Sequence, residues 1–274
     1  MRAKKHWLVV LMVLPAIAVL LDRHATAGQG RFHSEENGYS ITVPTGWTEV
    51  PKHILLKTVE QAVSPEAESE IFYETAFQRV GIEEKMEYPY AAVQIIAYSK
   101  MGLNRQIHKS EFEAFVKGLS GLDVSVATES FSTEAQETIF DIAFGKAYLD
   151  KKNKCYMMSL EADVANIGKV RGIMVGHFGR RAIIQIMFYD LKSNWSQSKP
   201  EREVILESFR FDPSMTYDEA FKNKVGISDR LSQAAVRGIG YGLLAGVLGL
   251  ICGLFKLITN LIQPKKKSND EQRQ

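Results

Sequence analysis

The sequence predicts an α+β domain exported across a membrane, with an N-terminal signal peptide and one C-terminal transmembrane helix. Three observations predict this. The run Gly238 to Phe255 contains no charged residue, and after Lys256 the apolar stretch resumes over Leu257 to Ile262 before Lys265-Lys266-Lys267 stop it. A charged start, a short apolar stretch and a small-residue triplet open the chain. Between these ends, period-two apolar segments alternate with capped amphipathic ones.

At the N-terminus, Arg2, Lys4 and Lys5 precede an apolar run from Trp7 to Leu21, interrupted by Pro15. Ala25-Thr26-Ala27 follows, with small residues where a signal peptidase reads. The pattern predicts a signal peptide over 1–27. An uncleaved anchor is the competing reading, although the apolar run is short for a span.

Charge divides the remainder. Residues 28–235 hold 24 Lys and Arg against 29 Asp and Glu, a net of −5. The basic excess of the whole chain, +2, therefore lies at its two ends. That places the tail in the cytosol and the middle outside by the positive-inside rule. It also argues against nucleic-acid binding, which wants the basic excess on the folded domain. Cys155 falls in the exported part and Cys252 in the apolar run, so the two are not expected to pair. Without a disulfide, the domain must hold together by its core, and about 190 residues are enough to bury one. A bacterial envelope fits this cysteine usage better than an animal cell surface.

The exported domain is expected over 28–213. Phe32 opens a short strand, and Glu36-Asn37-Gly38 is a turn, because Asn and Gly tolerate positive φ. Tyr39 to Val43 alternates with period two and reads as a half-buried strand ended by Pro44-Thr45-Gly46-Trp47. Further strands are expected at Ile54–Val59, Ile71–Phe77 and Ala91–Tyr98. Ser110 to Leu119 reads as a helix, with Ser110 and Glu113 as a capping box and Gly121 as its stop. Phe112, Phe115, Val116 and Leu119 form its apolar face.

From Val124 to Tyr189 strand follows strand. Ile139–Leu149 pairs back onto Cys155–Leu160 through the turn Lys151-Lys152-Asn153-Lys154. Ile173–Phe178 and Ala182–Tyr189 flank Gly179-Arg180. The last of these is apolar on both faces and reads as a central strand. A second helix follows, with Ser198 as cap, Pro200 in the first turn and Glu201 closing the box. Phe209-Arg210-Phe211 is a short closing strand, and Asp212-Pro213 ends the domain.

The opening Gly38-Tyr39-Ser40-Ile41-Thr42-Val43-Pro44-Thr45-Gly46-Trp47 and the close Ile205-Leu206-Glu207-Ser208-Phe209-Arg210-Phe211 resemble the two end motifs of PsbP-like and Mog-type domains. The match spans about 32–212, with a divergent middle. The resemblance implies an α/β/α sandwich around an antiparallel sheet. It also implies binding to other proteins rather than catalysis, with no shared catalytic residues to carry over. The chain departs from the family's lipoproteins in lacking a lipobox cysteine, and it adds the C-terminal apolar run.

No catalytic motif is present: no GxSxG, HExxH, CxxC or phosphate loop. His33, His53, His108 and His177 show no ligand spacing and read as surface or edge residues, so no metal or cofactor is expected. Glu83 to Glu87 reads as a solvated loop and Trp47 as a core plug. Arg180-Arg181 reads as a solvated turn rather than an anion site.

Residues 214–235 form a juxtamembrane linker. Phe221, Val225, Ser228, Leu231 and Ala235 recur at roughly helical spacing among Lys222, Lys224, Asp229 and Arg230. An amphipathic helix and a polar tether are both open readings. The transmembrane helix is expected over 236–262. Its 18 charge-free residues, Gly238–Phe255, rise about 27 Å, close to a bilayer's hydrocarbon thickness. Lys256 lies near enough to its end to snorkel. A basic cytoplasmic tail, 263–274, completes the chain.

Gly238, Gly242 and Gly246 share one helix face, and Gly249 and Gly253 form a second pair. Such spacing lets helix backbones approach in lipid. Self-association into a homo-oligomer and docking on another membrane protein's helix fit equally. The expected function is a non-catalytic, membrane-anchored envelope protein whose exported domain binds another envelope or membrane protein. The alternative is a carrier or sensor for a lipid or other small ligand.

Overall fold

The computed structural model describes residues 30–220, apart from 63–71, 82–84, 102, 104 and 122–130. The expected signal peptide, the linker from 221, the transmembrane helix with Gly238, Gly242, Gly246, Gly249 and Gly253, and the tail all lie outside the described residues. No helix among the described residues is long and apolar enough to cross a membrane.

Among the described residues, eleven strands and four α-helices follow one another as β1 (Gly30–Ser34), β2 (Tyr39–Val43), β3 (Trp47–Glu49), α1 (Lys52–Ala62), β4 (Tyr73–Arg79), β5 (Tyr90–Ala97), α2 (Phe112–Ser120), α3 (Thr133–Gln136), β6 (Ile139–Phe144), β7 (Tyr148–Asp150), β8 (Cys155–Val164), β9 (Gly168–Phe178), β10 (Ala182–Leu191), α4 (Lys199–Glu207) and β11 (Arg210–Phe211). The large sheet runs β3-β4-β5-β10-β9-β8-β6, with β7 also on β8, and every described pairing is antiparallel. A small sheet, β1-β2-β11, lies apart from it. The class is α+β, a sandwich with helices on both faces of an antiparallel sheet.

Strand alternation sends side chains to two separate cores. On one face Ile54, Leu55 and Val59 of α1, Phe112, Phe115 and Leu119 of α2 and Ala135 of α3 pack on Ala92, Tyr156, Met174 and Met187. On the other face Tyr39, Ile41 and Val43 of the small sheet and Ile205 of α4 cover Phe77, Val93, Ile186 and Phe188. Strand β10 sits in mid-sheet between both cores, which explains its apolar sequence.

Several local expectations are corrected. Ile54–Val59 is helical, not a strand. Ile54, Leu55, Thr58, Val59 and Ala62 are its buried residues, a 3.6-residue stripe, whereas Leu56 points to solvent. The β-branched composition resembles a strand, but alternation would have turned Leu55 and Val59 outward.

The capping box lies two residues earlier than Ser110 and Glu113, on the 3-10 turn Lys109–Glu111 that leads into α2. His108 accepts from the Ser110 amide, and Glu111 accepts from the His108 amide at 2.7 Å. Arg105 holds Glu111 through both guanidinium nitrogens at 2.9 Å, so that carboxylate is pre-placed, while Glu113 pairs with Lys151. Ser198 precedes α4 without a side-chain cap, and Glu201 reaches Arg79 and Trp47 instead of closing a box.

Strand β2 is buried on both faces rather than one. Met86 is buried, so the Glu83–Glu87 segment is not wholly solvated. The packed chain also runs past 213. Tyr217 is buried edge-on to Phe112, with ring centroids 5.3 Å apart.

Candidate functional site

The small sheet and α4 do not cover the whole of their face. They reach from β4 across β5 and β10 to β9, and on β8 they leave Met157 exposed. The result is a lateral cleft of about 800 Å³.

Its floor follows from strand period. Cys155 and Met157 on β8, and Ile173, Val175 and His177 on β9, project to one face. The register places Cys155 opposite His177 and Met157 opposite Val175. One wall is α4, with Arg202, Glu203, Leu206 and Glu207. Phe209, Arg210 and Phe211 close the inner side, and Asp150, Asn153, Lys154, Thr216 and Tyr217 form the mouth. Met157 is 36% exposed on this floor, and Tyr148 on the adjacent edge strand is 62% exposed.

The chemistry of the floor is muted. His177 is not a surface histidine: its ring stacks on Phe209 with centroids 4.0 Å apart, and its Nε2 is buried without a protein partner among the described residues. Burial first, and the Arg210 charge second, push its pKa down to about 3, so it is neutral at physiological pH. Burial likewise pushes the Cys155 thiol up to about 11, which keeps it protonated and poorly nucleophilic. Cys155 is a free cysteine. Among the described residues no group of three or more His, Cys, Asp or Glu side chains is arranged to hold a metal ion.

The rim is charged with both signs. Arg202 stacks on Trp195 at 3.9 Å from the ring centroid and donates to the Trp195 carbonyl at 3.0 Å. Lys199 pairs with Glu203 at 3.5 Å. Arg210 spends one guanidinium nitrogen on the carbonyls of Glu207 and Phe209. The arrangement suits non-covalent binding, an apolar floor for buried area and a polar rim for orientation.

Other residues singled out by sequence fall elsewhere. Trp47 is buried at the β3 edge over Phe188, and its indole donates to Glu201 at 3.3 Å, consistent with a plug. His33 contacts Asp212 at 3.0 Å on the surface. Arg180 and Arg181 are exposed at the β9–β10 turn, beside a hollow of about 260 Å³, and Arg180 pairs with Asp218 at 3.3 Å. Sequence reading missed the cleft, although the alternation of Cys155, Met157 and Ser159 already marks one face of β8.

The fold and the cleft together define the class: an α+β sandwich domain with a ligand-sized lateral opening and a chemically quiet floor. No protein-family model matches the chain, and no curated protein matches it. Among the solved structures similar to it are the following three. Cyanobacterial PsbP (CyanoP) from Synechocystis shares 14% identity over 69% of this chain and 95% of its own, with a TM-score of 0.42. The Ran-binding protein Mog1p of Saccharomyces cerevisiae shares 10% identity over 69% of this chain and 98% of its own, at 0.32. LpqN of Mycobacterium tuberculosis, involved in cell envelope biogenesis, shares 11% identity over 68% of this chain and 91% of its own, also at 0.32.

Proposed function

We propose that the chain is a non-catalytic, membrane-anchored envelope protein whose exported domain binds a partner protein in the cleft beside α4. The cleft carries this reading. It presents an apolar floor, with Met157 exposed on it, inside a rim of mixed charge. A protein interface of ordinary size has that anatomy. The charge-free run near the C-terminus supplies the anchor. The neutral His177 and the protonated Cys155 favour binding over reaction.

The test is a photo-crosslinking residue at Met157, with one at Lys57 on α1 as control, in cells that make the full chain. A discrete protein adduct is expected from position 157 and not from 57. Adducts from both positions, or from neither, would remove the cleft from consideration. Turnover of ester, peptide or phosphate substrates by the purified domain would sink the non-catalytic reading.

A second reading is favoured by the cleft volume alone. About 800 Å³ lies within the range that small ligands occupy. A lipid or other small molecule held there would make the domain a carrier or sensor. Native mass spectrometry of cell-purified protein should then show a retained mass, and a clean apoprotein mass would count against this reading.

A further inference from the structure

The cleft floor gathers a thiol, a thioether and an imidazole. Residues two apart on a strand share a face, so Cys155 and Met157 project together from β8. The register sets His177 of β9 directly opposite Cys155, and Val175 opposite Met157. Side chains directly opposite start about 4.5–5.5 Å apart at Cβ, and the next pair on that face lies about 7 Å along the strands. All three donors line the same cleft.

The fold leaves them open to a ligand. Cys155 is a free cysteine. Nε2 of His177 is buried without a protein partner among the described residues, and Phe209 stacks on the ring at 4.0 Å and fixes its plane. Met157 is the member most open to the cleft. Asp150 lies opposite Cys155 on β7, but its carboxylate is held in the turn. It accepts from the Asn153 amide at 3.0 Å and from Asn153 Nδ2 at 2.7 Å.

Donor type and charge select an ion. Thiolate and thioether sulfur favour a soft cation, and imidazole accepts the same one. Hard ions need oxygen ligands, and the floor residues Cys155, Met157, Ile173, Val175 and His177 carry no side-chain oxygen. Zinc draws its ligands from Cys, His and carboxylates rather than from thioethers. A univalent ion on one thiolate makes a neutral pair, which an apolar floor tolerates. A divalent ion would leave a net positive charge there, beside Arg210. His177 is neutral at physiological pH, so a proton does not compete for its ring.

We propose that Cys155, Met157 and His177 bind one soft univalent metal ion, Cu(I), on the floor of the cleft. On binding, the Cys155 S–H bond breaks, its electron pair forms the sulfur–metal bond and the proton leaves to solvent. Met157 and His177 donate lone pairs, and no electron is transferred. The site does not rest on a partner protein occupying the cleft.

The test uses the purified full chain in detergent micelles, carrying Cys252→Ser so that Cys155 is the remaining thiol. Cu(I) held by the chromogenic chelator bicinchoninate is titrated with this protein without oxygen. The chain should withdraw one Cu(I), read as loss of the chelator's colour. Cys155→Ser, Met157→Leu and His177→Phe should each weaken binding by about tenfold or more, a loss that even outer-shell changes produce. Met158→Leu, on the opposite face of β8, should compete as the parent does. No withdrawal by the parent, or equal withdrawal by any of the three ligand variants, would overturn the site.

A second measurement does not depend on the variants folding. X-ray absorption at the copper edge of the loaded parent should show both sulfur and imidazole nitrogen around the metal. A shell of sulfur alone, or of nitrogen and oxygen alone, would overturn the assignment. Excess Zn(II) should leave the copper in place, and its displacement by zinc would overturn the choice of a univalent ion.

Discussion

The Tyr156 hydroxyl donates to Oε1 of Gln185 at 2.8 Å, across the bare backbone of Gly176 on the strand between them. Gln185 passes the chain on by donating to Gln94 at 2.9 Å. Three side chains on three strands thus form a buried polar line under the α1–α2 layer. Gly176 makes room for it, since a Cβ there would fall inside the Tyr156 ring edge.

Gly176→Ala is expected to destabilise the domain by about 1–3 kcal/mol, the usual cost of overpacking a filled core. The Tyr156 ring cannot swing away cheaply, because its hydroxyl is bonded and its face packs on Phe115 and Phe178. Urea unfolding with an unchanged slope and a lowered midpoint would record it. A midpoint equal to that of the native chain would mean that the ring is free to move.

Tyr156→Phe keeps the ring and removes the donor. Gln185 Oε1 would lose this bond in a site without solvent access, at about 1–3 kcal/mol. Adding Gln185→Leu and Gln94→Leu to the same chain should recover part of the loss, because all three members of the line are then apolar. A triple variant less stable than the single one would contradict this account.

His177 sets a pH dependence. Its folded pKa, about 3, lies below the ordinary histidine value of 6.5. The unfolded chain therefore takes up this proton first as pH falls. The stabilisation is complete above pH 6.5 and is lost progressively toward pH 3. His177→Phe, which can keep the stacking on Phe209, should lose less stability than the native chain between pH 7 and pH 4.5. Parallel losses in both proteins, followed by denaturant midpoints, would rule His177 out as the cause.

Trp47→Ala should cost about 3–5 kcal/mol, since it empties a buried site against Phe188. Glu201→Ala should cost about 1 kcal/mol or less, because its partner Arg79 is half exposed. Thermal unfolding of the two variants should rank them in that order. The reverse order would make the Arg79–Glu201–Trp47 group the anchor of the β3 edge, in place of apolar burial.

For the apolar run, Gly242→Ile should abolish association of the 236–262 segment in a membrane two-hybrid assay without impairing insertion. Leu244→Ile, off both glycine rows, should leave the signal unchanged. Equal signals from all three sequences would make the helix a plain anchor. Topology can be read in the same cells. Reporter fusions after Pro213 and after Lys267 should report outside and inside, respectively, and N-terminal sequencing should begin after Ala27.

The sequence by itself determined the α+β class, the β2 and β10 strands, the apolar face of α2 and the Lys151–Lys154 turn. These depend on neighbours along the chain: period two, period 3.6, and turn residues that accept positive φ. Ile54–Val59 was not legible from its composition, because β-branched residues favour strands until a tertiary surface selects every third or fourth one for burial. The α2 cap was misplaced because Arg105 orients Glu111. The Ser198 box fails because Glu201 has better partners in Arg79 and Trp47.

Only the tertiary structure decided the cleft. Cys155, Met157, Val175 and His177 are separated along the chain and meet through the β8–β9 register. Their exposure depends on how far the small sheet and α4 extend over that face. The same long-range packing turned His177 from an ordinary polar residue into a neutral one under Phe209. Burial is a property of what covers a residue, and the covering segments, β11 and α4, come after the floor in the chain.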